Sequence, residues 1–109
     1  MRALFKIKRY PESLFYGHII LEKMLKALVV QNTKKGSPYT HDLVRLQQLA
    51  ELDLKLEEIE FLKEVNNFNI RARYPDYKLK FHKLCTKQFV EKMLGSISKL
   101  YKKLCQKIK

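Results

Sequence analysis

The residues best suited to chemistry sit together in one stretch. Asn66–Tyr77 reads NNFNIRARYPDY, and it gathers Asn66, Asn69, Arg71, Arg73, Tyr74 and Asp76 around what reads as the end of a helix. An Arg guanidinium offers a planar fork that matches phosphate, a Tyr ring is a platform on which a base can stack, and Asn or Asp can read base edges. A ligand-binding site made of Asn69, Arg71, Arg73, Tyr74 and Asp76 is therefore the first expectation. The same residues also suit a helix stop in which Arg and Asp pair to brace the turn.

Other chemistry finds less support. His18, His41 and His82 lie far apart and share no ligand spacing. His18 falls in an apolar stripe and reads as a core or interface histidine, and His41 follows a helix cap and reads as locally structural. No Gly-rich phosphate loop and no GxSxG elbow occurs. The acids of 51–64 look like one solvated helix face. Cys85 and Cys105 show no CxxC and no nearby His pair, so no zinc site is expected. Both read as small hydrophobes at apolar positions of one helix. Neither a metal nor a cofactor is expected.

The elements that must position these residues are helical. At 109 residues the chain has room for one domain, 1–109, and one core. Apolar residues make up 46%, which is ample for a packed interior, while three Gly and three Pro are too few for a many-stranded sandwich. Arg2–Tyr10 reads as a short helical piece ending before Pro11. A central helix follows from about Pro11 to Gln31, with Leu14, His18, Leu21, Leu25 and Leu28 at bundle spacing. After a loop at 32–39, Thr40 is the expected cap of a helix carrying Leu43, Leu46, Leu49 and Ala50. Asp53 is the expected cap of the next, carrying Ile59, Leu62, Val65 and Phe68. Pro75 makes Arg71–Tyr77 a turn, and Leu79–Cys85 reads as loop or one extra turn. Thr86 caps a last helix that runs to about Ile108, with an apolar stripe from Val90 to Ile108. The expected fold is all-α, a four- to five-helix bundle.

The net charge of +12 is uneven. Residues 1–39 balance at +6 (eight bases, two acids), 40–70 at −4 (three and seven) and 71–109 at +10 (twelve and two). A basic final third attracts phosphate, although a lysine-rich face also serves solubility. Met1–Tyr10 is too charged for the apolar core of a signal peptide, and no apolar run is long enough to span a bilayer. The expected setting is a reducing cytoplasm, with no membrane partner.

The run ILEKMLKALVV at 20–30, then YTHDL at 39–43, then FNIRARYPDY at 68–77, then a capped C-terminal helix, resembles the HEPN family over roughly residues 3–105. The resemblance implies an antiparallel bundle that forms a homodimer. It also implies pairing with a small nucleotidyltransferase, often as toxin and antitoxin, and either nucleotide binding or metal-independent RNA cleavage. Members normally begin with a long first helix. Here only about nine residues stand before Tyr10, so a shortened first helix is expected, leaving apolar side chains for a partner.

Cleaving members of the family carry Arg, four to six residues, then His. Counted from Arg71 those positions hold Asp76, Tyr77 and Lys78; counted from Arg73 they hold Lys78, Leu79 and Lys80. His82 comes too late for either and is the reserve candidate. Cleavage through the 2′-hydroxyl needs a base and an acid tuned near neutrality, which Arg cannot supply. The sequence therefore points to a non-catalytic module that binds a nucleotide or RNA phosphate beside a nucleotidyltransferase partner. A metal-independent RNase toxin and a pure protein-interaction module are the alternatives.

Overall fold

The computed structural model describes residues 10–36, 38–73 and 86–108, with the side chains of all of these except 10, 11 and 68–73. Four helices make up the described part: α1 (Tyr10–Thr33), α2 (Leu43–Leu49), α3 (Leu56–Arg73) and α4 (Lys87–Cys105). Residues 2–9 of the expected first helical piece and the segment 79–85 lie outside the described residues, as do Tyr74, Asp76 and His82, while Tyr10, expected to end that piece, is instead the first residue of α1.

α1 packs against all three other helices. Its seam falls where the leucine spacing puts it: Leu14, Leu21, Leu25 and Leu28 are fully buried, and His18 is 1% exposed. α3 contributes Leu62 and Val65, and α4 contributes Val90, Met93, Leu94, Ile97, Leu100 and Leu104 to the same core. Gln31 Nε2 donates to the Lys107 carbonyl at 2.9 Å, joining the late ends of α1 and α4, while Lys103 Nζ donates to Glu58 at 2.6 Å near the start of α3. α1 and α4 thus run the same way and α3 runs against both.

The helix ends correct several expectations. Asp42, not Thr40, caps α2: its Oδ1 accepts from the amides of Val44 at 3.0 Å and Arg45 at 3.3 Å. An acceptor must stand directly before the first turn to reach those amides. Thr40 stands two residues too early, and its hydroxyl instead accepts from the Asp42 amide at 3.2 Å. α2 closes through Glu51, whose φ of 56° is left-handed. The Leu52 and Glu51 amides then bond back to the carbonyls of Gln47 and Gln48, the Schellman arrangement, here without its usual glycine.

Asp53 does not cap α3. Leu52 and Leu54 are drawn into the core, so the chain passes Asp53 without entering a helix, and the helix begins at Leu56. Glu58 reaches back to the Lys55 amide at 3.0 Å, half of a capping box. α3 also runs further than expected, through Arg73, because the constraint from a proline falls on the residue immediately before it. Thr86 does cap α4, accepting from the Phe89 amide at 3.2 Å. The helix ends at Cys105 rather than Ile108. Cys105 is exposed, not buried, since it stands one position past Leu104 on a helix that turns about 100° per residue. Cys85 lies outside the described residues.

Candidate functional site

The register of α3 sorts the expected phosphate-binding residues. Asn69, Arg71 and Arg73 occupy its last two turns. Positions 69 and 73 are one helical turn apart and share a face, which they also share with position 66. Position 71 starts from the other side of the axis, because residues two apart in a helix do not face each other. Both arginines are cations at the negative end of the α3 dipole, a placement that also favours the helix itself.

Asn66, which the sequence offers as a base reader, is engaged within the fold. Its Oδ1 accepts from the Leu43 amide at 2.9 Å and its Nδ2 donates to Asp42 Oδ1 at 2.9 Å. It fastens the start of α2 to α3 and satisfies an amide that the first turn of a helix leaves open.

Beside Asn66 stands a polar group that the sequence barely announces. His18 Nε2 donates to the His41 carbonyl at 3.1 Å, which places the ring proton on Nε2, since a carbonyl can only accept. Its Nδ1 is buried without a hydrogen-bond partner, 3.9 Å from Glu22 Oε1. His41 Nδ1 donates to that same Oε1 at 2.8 Å, and Lys26 Nζ donates to Oε2 at 3.2 Å. One carboxylate therefore ties together α1 and the segment leading into α2.

Burial holds the His18 imidazole below its ordinary 6.5, against the opposing pull of Glu22. Burial pushes the Glu22 carboxyl up, but the hydrogen bonds from His41 and Lys26 outweigh it and the group titrates below its usual 4.5. The only visible hint of this cluster in the sequence is the His18–Glu22 spacing of one turn. His41 and Asn66 reach it through tertiary structure alone.

Among the described residues no group of three or more His, Cys, Asp or Glu is placed to hold a metal ion, and no helix is long and apolar enough to cross a membrane. The described residues thus form a helical bundle with a polar cluster where α1, α2 and α3 meet and two arginines at the end of α3. The HEPN domain family model matches residues 1–108, and the chain belongs to that family. No curated protein and no solved structure matches it.

Proposed function

We propose that this HEPN domain is a non-catalytic module that binds the phosphate of a nucleotide or of RNA at the end of α3. In this reading it works as a homodimer with a nucleotidyltransferase partner, the two forming a toxin–antitoxin type of pair. The observation that carries the binding site is the placement of Asn69, Arg71 and Arg73 in the last two turns of α3, which brings an amide and two guanidiniums to one helix end. The +10 balance of residues 71–109 supports a phosphate ligand. Exposed Tyr16 and Val30, both on α1, support a protein partner. Asn69, Arg71 and Arg73 carry the site, and Tyr74 and Asp76 complete the set expected from sequence.

The binding test uses ATP and a single-stranded RNA as ligands. Arg73→Ala should weaken binding of the ligand by about 1.5–3 kcal/mol, the size of one charge-assisted contact, with little change in the thermal midpoint. A large loss of stability with unchanged affinity would mean that the arginine braces the helix instead.

One observation favours a second reading, metal-independent RNA cleavage. His41 is 60% exposed at its side chain and its ring is oriented through Nδ1 by Glu22, the arrangement in which a carboxylate positions a general base. The leading reading expects no RNA cleavage by the purified protein. Cleavage that disappears in either His41→Ala or His82→Ala would replace it with the toxin reading.

A further inference from the structure

α4 divides cleanly between core and solvent. Its buried residues all fall on one side, and the opposite side carries Gln88, Lys92, Gly95, Lys99, Lys102 and Gln106 in one stripe. None of these three lysines meets an acid among the described residues, whereas Lys103, one position aside, is paired with Glu58. Glu91 is the single acid of α4. No exposed side chain from Lys87 to Lys102 is apolar, so this side has neither the aromatic anchors of a protein interface nor the apolar edge of a helix that lies on a membrane.

Gly95 lies in the middle of the stripe, and the fold does not require it. A Cβ there would meet nothing within 4 Å. A glycine inside a helix is less stable than alanine by roughly 0.5–1 kcal/mol. The bare backbone at this point leaves the stripe open to close approach between Lys92 and Lys99.

We infer that the exposed side of α4 is a docking face for the sugar–phosphate backbone of a single RNA strand, read without regard to sequence. It rests on the phosphate-binding reading above and names the ligand class: a strand, not a mononucleotide. Lys92 and Lys102 are about 15 Å apart along the axis at 1.5 Å per residue, so the three ammonium groups cannot converge on one phosphate. They can each neutralise a different phosphate along a chain and release its counterions. Lysine acts as a point charge, which suits contact with backbone and not with bases.

The experiment measures binding of a fluorescent oligouridylate across a series of KCl concentrations, for the wild type and for Lys92→Gln/Lys99→Gln/Lys102→Gln. With about 0.7 counterions released per contact on a single strand, the triple variant should lower the magnitude of the log K against log salt slope by about 2. ATP affinity should not change, and vesicles rich in phosphatidylserine should not bind. Gly95→Gln, which adds a long neutral side chain to the stripe, should weaken RNA binding severalfold with its slope intact. Thermal melts confirm that each variant is folded. A triple variant with the wild-type slope overturns the proposal, as does vesicle binding through the same lysines, or RNA affinity that Gly95→Gln leaves unchanged. If RNA fails to bind while ATP still binds in an Arg73-dependent way, the face falls and the site at the end of α3 stands. If the slope responds to the lysines but Arg73→Ala changes neither ligand, the face stands and that site falls.

Discussion

Leu25→Ala is expected to lower the thermal midpoint by on the order of 10–30 °C. Leu25 is fully buried in α1, the helix that every other described helix packs against. Truncating a buried leucine removes transfer free energy and leaves a cavity, together about 2–5 kcal/mol. In a domain near this size each kcal/mol moves the midpoint by about 4–8 °C. Total stabilities of about 5–15 kcal/mol mean that a loss at the upper end approaches global unfolding. Differential scanning calorimetry of the two proteins at one pH decides it. A shift of only a few degrees would show that the surrounding leucines close over the gap and that α1 is not the centre of the core.

The second large effect is acid sensitivity in two stages. Folding disfavours the charged form of His18, because burial holds its imidazole below the 6.5 it has when exposed. As pH falls from 6.5 toward that lower folded value, the unfolded chain takes up a proton that the folded one refuses. Stability is therefore complete above 6.5 and declines through this window. Glu22 adds a later decline. Its carboxyl titrates below 4.5 in the fold, so the stability it confers is present above 4.5 and is lost as pH falls through its folded value. Urea midpoints measured from pH 8 to pH 3 should show both limbs. His18→Asn should flatten the first limb and keep the second. A first limb that survives the substitution would assign it to another group.

Much of the fold is legible in the sequence because helix seams are local statements. Leucines spaced three and four apart mark α1, and a Thr three positions before Phe89 marks the start of α4. The errors concern neighbours that only the folded chain supplies. Asp53 is as good a cap by type as Asp42, yet Leu52 and Leu54 are buried and carry the chain past it. Cys105 sits among apolar residues in sequence but one step around the helix from the core.

The candidate site is legible in kind more than in arrangement. The amide and guanidinium groups of Asn69, Arg71 and Arg73 can be read directly, whereas the divergence of 71 from 73 depends on α3 continuing past the expected turn. The cluster of His18, Glu22, His41 and Asn66 is the clearest omission. Apart from His18 and Glu22, one turn apart on α1, its members come from the segment before α2 and from α3, at separations over which no periodicity operates.

The adjacency of α1 and α4 also bears on how the protein is made. α1 is complete once residue 33 has been added, yet the helix that runs alongside it is complete only at residue 105. At about 5–20 residues per second, a ribosome leaves that interval open for roughly 4–14 s. Throughout it, of the described helices, α2 and the growing α3 alone are there to cover the leucine seam of α1. The nascent chain thus presents an apolar stripe for a time in which a waiting chaperone, or another copy still on its ribosome, can reach it before its own last helix does.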